Sequence, residues 1–151
     1  MADISNNISI KNRKASFNFH FLEEFEAGVA LMGSEIKSIR SGRVSLQEAF
    51  CVFHKNELWI KNLHIAAYEQ SGHYGHEPFR LRKLLLHKKE LNKLQEKLGD
   101  QGLTLIPTKL YINKRGLCKI RVALAKGKKL YDKRQDIKKK DMKREIDRSG
   151  F

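Results

Sequence analysis

Short stretches in which apolar and polar residues alternate with a period of two recur along this chain, and they confine it to a fold built mainly of strands. Phe17, Phe19 and Phe21 alternate with Ser16, Asn18 and His20, the pattern of a strand with one buried face. Glu23–Phe25 reads as a turn into Glu26–Met32, an apolar run interrupted by Gly28, where a glycine marks a bulge or a tight barrel bend. Ala49–His54 and Glu57–Lys61 form a hairpin around Lys55-Asn56, and Leu63–Ala67 continues as a further strand. Leu103–Asn113 and Leu117–Ala125 form a second hairpin across Lys114-Arg115-Gly116.

Two segments break this rhythm. Ser34 is a good N-cap and Glu35 suits the positive first turn, so Glu35–Ser41 reads as a short helix closed by Gly42. The segment after Arg80 reads as the longest helix of the body, strongest over His87–Leu98. Leu91, Leu94 and Leu98 share one face there, and Gly99 stands at the C-cap. Five to seven strands with two helices predict a mainly β domain with flanking helices, an OB-like small barrel. Residues 1–14 are polar and Asn-rich and read as loose, most of all 1–10.

Charge divides the chain into two parts. The 151 residues carry a formal net charge of +14. Residues 126–151 hold eleven Lys/Arg against five Asp/Glu, so a net +6 is packed into 26 residues, while residues 1–125 carry +8. The body, 1–125, is therefore basic and the tail, 126–151, much more densely so. The tail has neither Gly nor Pro between Lys128 and Ser149, and Asp136/Lys140 and Asp141/Arg144 are spaced as helical ion pairs. Its apolar residues, Leu130, Tyr131, Ile137, Met142 and Ile146, are too sparse to anchor it on a core. The reading is a segment disordered when free and helical on an anionic partner.

Several function classes drop out. No apolar run approaches the length of a membrane-spanning helix, and the N-terminal segment has no hydrophobic signal region, so the chain reads as cytoplasmic with no membrane partner. Cys51 and Cys118 form no Cys-x-x-Cys pair and read as buried free thiols. His73 and His76 sit three apart in the Gln70–Pro78 loop, but no ligand set surrounds them. No nucleophile elbow, P-loop or dinucleotide loop is present. The reading is no enzyme, no metal and no cofactor.

A strongly basic chain of this kind serves a polyanion. Lys37 and Arg40 share one face of the short helix with Arg43 just beyond, spaced to meet successive phosphates. Lys109, Lys119 and Arg121 alternate with apolar neighbours, so they face outward from a sheet. Arg80, Arg82, Lys83, Lys88 and Lys89 crowd the start of the long helix. Such a surface suits folded RNA, whose base edges lie hidden in a deep groove and which is recognised by backbone and shape.

Asn12-Arg13-Lys14-Ala15, Glu26-Ala27-Gly28, Gly33-Ser34-Glu35-Ile36-Lys37-Ser38, Arg82-Lys83-Leu84-Leu85-Leu86 and Ala123-Leu124-Ala125-Lys126-Gly127-Lys128-Lys129, followed by Tyr131-Asp132-Lys133-Arg134, together resemble the small protein B (SmpB) family of bacterial tmRNA-binding proteins. The resemblance runs from about Ile10 to Arg148. It implies an OB-like barrel and a role in trans-translation, the rescue of stalled ribosomes. The tRNA-like domain of tmRNA would be held by the body, and aminoacylated tmRNA brought to the vacant A site with elongation factor Tu and GTP. The tail would occupy the decoding centre and the empty mRNA channel of the small subunit, against 16S rRNA. By motif, Glu26, Leu85 and Lys119 fall on positions the family uses to grip tmRNA. Glu26 would accept a hydrogen bond from a base or 2′-hydroxyl or orient an Arg, and Leu85 would offer an apolar platform. Tyr131, Asp132, Lys133 and Arg134 match the decoding-centre motif, with Lys126, Lys128 and Lys129 leading into it. A monomer is expected.

Overall fold

The computed structural model describes residues 8–67, 75–99 and 102–149. In chain order the elements are β1 (Ser9–Lys11), α1 (Arg13–Asn18), β2 (Phe19–Val29), α2 (Gly33–Arg40), β3 (Val44–Ser45), β4 (Phe50–His54) and β5 (Glu57–Lys61). They continue with β6 (His64–Ile65), β7 (Arg82–Leu85), α3 (Lys88–Leu98), β8 (Leu103–Ile112), β9 (Cys118–Gly127) and α4 (Leu130–Ser149). The main sheet runs β1-β8-β4-β5-β7-β2-β9, and β9 pairs back onto β8. Six antiparallel strands thus close into a ring, β8-β4-β5-β7-β2-β9, with β1 added to the edge of β8 opposite β9. The mainly β architecture with helices stands; β3 and β6 form a separate small ladder.

Closure needs bends, and two bulges supply them. One lies between Phe21 and Glu23 of β2, opposite Ala125 and Leu124. The other lies between Pro107 and Lys109 of β8, opposite Val122 and Arg121, where a proline lacking its N–H fits an irregular ladder. The expected bend at Gly28 is absent, since Gly28 keeps regular register with both neighbours. Its role is close approach: a Cβ there would meet the Leu85 Cβ at 3.4 Å.

The interior holds Leu58, Ile60, Leu84, Leu105, Leu110, Ile120 and Val122, all inward members of alternating strands. Helix α3 closes one end with Leu94 buried and Leu91 and Leu98 half-buried against the core, the face its spacing predicts. Cys51 and Cys118 are free and buried, and burial pushes the Cys118 thiol up to about 12. The Lys55-Asn56 hairpin is confirmed, with both residues at positive φ (51° and 62°), as a tight two-residue turn requires.

Several expectations are corrected. Ser9–Lys11 is not loose but pairs with Tyr111–Lys109. Phe17 belongs to helix α1, because Asn12 caps that helix: its Oδ1 accepts from the Ala15 N–H at 3.1 Å while its Nδ2 donates to Pro107 and Leu46 carbonyls. Glu23–Phe25 is strand, not turn. Of Leu63–Ala67 only His64–Ile65 is strand. Arg82–Leu85, read as the start of the long helix, is strand β7, since its Leu84 fills the barrel. Ser34 is not the cap of α2; Met32 is, with its N–H donating to Glu35 at 2.8 Å. The sheet also outruns the body boundary, as Lys126 and Gly127 pair with His20 and Phe19.

Arg82 is fully buried beside fully buried Glu35. The guanidinium donates to Glu35 and to the carbonyls of Leu63 (2.8 Å), Arg80 (3.0 Å) and Pro78 (3.2 Å). Arg80 donates to the other Glu35 oxygen. Burial alone would raise the Glu35 carboxyl, but Arg80, the Met32 N–H and Arg82 overcome it and hold the group below its ordinary value. Two members of the expected basic patch are thus committed to fixing β7 against α2.

Candidate nucleic-acid interface

Three strands, β7, β2 and β9, lie side by side, and their register decides which outward side chains meet. Gly28 stands opposite Leu85 on one side and Lys119 on the other, while Glu26 stands opposite Arg121. Lys119 in turn faces Tyr111, and Arg121 faces Lys109, which faces Lys11. Two rows therefore cross the sheet: Leu85, Gly28, Lys119, Tyr111, and Glu26, Arg121, Lys109, Lys11. Directly opposed cations repel one another, so the second row is poised for an anionic partner.

The strands open here into a cleft of ≈ 540 Å³ lined by Glu26, Gly28, Leu85, Leu86, His87, Glu90 and Lys119. Glu26, Leu85 and Lys119, far apart in sequence, share it. Leu85 is 51% exposed, an apolar side chain on the solvent side of a strand beside a cation. Gly28 leaves the floor open between them. A smaller groove of ≈ 250 Å³ adjoins Arg121 and is lined also by Lys11, Arg13, Phe21, Glu24 and Lys109. Glu26 accepts a hydrogen bond from the Tyr111 hydroxyl, and Lys109 Nζ lies 5.3 Å from the centre of the Tyr111 ring. Tyr111 and Lys11 escaped the sequence reading, which named Lys109 among the outward cations without these neighbours. Only the β1–β8–β9 register brings them to Arg121.

Lys37 and Arg40 are exposed on α2 and do not line that cleft. Arg40 lies over the β8–β9 turn, its Nη2 3.6 Å from where a Cβ on Gly116 would sit. His76 is buried: its Nε2 faces the Ile65 carbonyl at 2.9 Å and so donates, leaving Nδ1 to accept from the Ser34 hydroxyl at 2.8 Å. The histidine is a strut between α2 and β6. His73 lies outside the described residues. Among the described residues no group of His, Cys, Asp or Glu could hold a metal ion, and no helix is long and apolar enough to cross a membrane.

The tail leaves the sheet at Lys128, whose N–H donates to the Asn18 carbonyl at 2.8 Å. Helix α4 then lies against α1 through one face. Asp132 meets His20 at 3.2 Å, Asp136 pairs with Lys128, and Lys133 and Lys140 sit 5.9 Å and 5.7 Å from the Phe17 ring centre. Residues 132, 136 and 140 recur every four positions and so share that face. Asp136 takes Lys128 instead of the expected Lys140, whereas Asp141 and Arg144 do pair, at 4.0 Å. The Tyr131–Arg134 motif is split by the helix: Tyr131 and Arg134 are exposed, Asp132 and Lys133 turn toward the body. Lys126 is exposed on β9 and Lys129 precedes the helix.

These features define a basic antiparallel β-barrel protein with a charged terminal helix resting on its side. The family model for SmpB protein matches residues 9–150. The chain is 53% identical to an SsrA-binding protein of Cytophaga hutchinsonii, covering 97% of this chain and 95% of that one. It is 50% identical to an SsrA-binding protein of Christiangramia forsetii, covering 96% and 92%. A solved structure described as "tmRNA-SmpB: a journey to the center of the bacterial ribosome" holds a chain 46% identical, with a TM-score of 0.69, covering 82% of this chain and 86% of that one. The chain belongs to the SmpB family.

Proposed function

We propose that the chain is an RNA-binding adaptor of trans-translation: it binds tmRNA (SsrA RNA) and accompanies it into the A site of stalled ribosomes. The body, through the cleft of Glu26, Leu85 and Lys119 and the Arg121 row, grips the tRNA-like domain, with Lys37 and Arg40 meeting phosphates from α2. Lys126, Lys128, Lys129 and the Tyr131–Arg134 motif act on the small subunit and 16S rRNA. The protein works as a cytoplasmic monomer with elongation factor Tu and GTP, and catalyses no reaction. One observation carries this reading: Glu26, Leu85 and Lys119, drawn from three strands, converge on a single open cleft.

That cleft combines what folded RNA asks of a protein. A cation meets phosphate, an apolar platform meets an unstacked base, and a carboxylate accepts from a 2′-hydroxyl or base amine. The tail requires a rearrangement. Asp132 faces His20 at the start of β2 and Lys133 faces Phe17 of α1 in the docked helix, so all four motif residues reach rRNA only once α4 leaves the body. Capturing the full chain from cells after crosslinking and sequencing its RNA tests the reading. tmRNA should dominate; comparable yields of tRNA, rRNA and tmRNA would instead mark a general RNA-binding protein.

A further inference from the structure

Glu26 poses a problem that the cleft alone does not solve. It stands directly opposite Arg121 on the neighbouring strand, and the cation Lys119 lines the same cleft. Opposite charges facing one another across a ladder pair readily. A Glu26–Arg121 ion pair would cancel a cation that RNA needs, and would consume the carboxylate that an RNA donor needs. The structure shows a different partner. The Tyr111 hydroxyl, reaching across from β8, donates to Oε2 of Glu26.

We infer that Tyr111 is the positioning residue of the RNA cleft: by holding one oxygen of Glu26 it keeps the carboxylate off Arg121 and leaves the second oxygen for an RNA donor. This rests on the cleft being the RNA site. A phenol bound to a carboxylate is charge-assisted and strong. The ring is itself fixed, by its register opposite Lys119 and by Lys109 against its face. Burial raises the phenol above its ordinary ionisation and Glu26 raises it further, while Arg121 acts in the opposite direction. The hydroxyl thus feels both the carboxylate and the guanidinium. Arg121 touches Glu24 loosely, at 3.9 Å, and otherwise interacts with the Tyr111 hydroxyl, a neutral partner, so its charge stays available to phosphate.

The test is a double-mutant cycle on the full chain, with a tmRNA tRNA-like-domain transcript as the probe. Glu26→Ala should weaken binding. Tyr111→Phe, which keeps the ring, should weaken it roughly threefold to tenfold and lower the salt slope by about one, as Glu26 turns to neutralise Arg121. In the Glu26→Ala background Tyr111→Phe should then change nothing. The Tyr111 ring carbon bearing the hydroxyl, followed by NMR, should titrate at lower pH in Glu26→Ala than in the parent. Weakened binding by Glu26→Ala with parental binding by Tyr111→Phe would overturn the inference and leave the RNA site intact. Fully additive losses would also overturn it, since Tyr111 would then touch RNA directly. Parental binding by Glu26→Ala would remove Glu26 from the interface, and the inference with it.

Discussion

Glu35 in the body and Asp132 in the tail are both carboxylates that basic partners hold below their ordinary ionisation range, yet Glu35 is fully buried and Asp132 is partly open to water. Glu35 is sealed between α2 and β7 with Arg82 and Arg80. Asp132 meets His20 near the surface, and that hydrogen bond is the main cause of its lowered value. Similar pairings give different mechanics. Removing one partner of a buried pair strands a charge that nothing can solvate, whereas an exposed pair exchanges its partner for water at little cost. The barrel is fixed by a sealed ion pair, and the tail helix is held by pairs that stand nearer to water.

The sharpest way to break this comparison is Glu35→Ala. It leaves Arg82 buried and uncompensated, so unfolding by heat or denaturant should show a loss of about 3–5 kcal/mol. A loss under about 1 kcal/mol would mean the buried network does not fix the barrel. Next is Lys119→Ala, expected to weaken tmRNA binding roughly tenfold and lower its salt slope by about one without moving the tail. A parental slope would take Lys119 out of the interface. Phe17→Ala should loosen α4 by about 1 kcal/mol through two lost cation–π contacts, seen as faster amide exchange in α4 with barrel amides unchanged. The smallest effect is on pH. Asp132 and Asp136 are both held below the ordinary aspartate value, so their contribution to docking is complete above pH ~3.9 and is lost as pH falls through the lowered values. Contacts between the Phe17 ring and Lys140 should fade there; contacts that persist fully protonated would assign docking to other forces.

The strands and the α3 face could be read from sequence because their signal is local: alternation at Ile120–Leu124 or spacing at Leu91, Leu94 and Leu98 reports directly on burial. Arg82–Leu85 misled because the run Leu84-Leu85-Leu86 fits helix and strand alike, and only closure of the ring decides between them. Arg82 looked like surface because its partner, Glu35, is 47 positions away. The cleft was half legible. Glu26, Leu85 and Lys119 could be named from motifs and Lys109 from strand alternation, but Tyr111 and Lys11 join them only through register. The docking of α4 was hidden for a further reason. It rests on Phe17, His20 and Lys128, polar and aromatic contacts that leave no apolar period in the tail.

The division between a gripping body and a releasable tail is tested most directly by ending the chain after Gly127, the last residue of the sheet. The shortened protein should fold, bind tmRNA with parental affinity and salt slope, and support no peptide tagging on stalled ribosomes. Collapse of tmRNA binding, or tagging at the parental level, would contradict it.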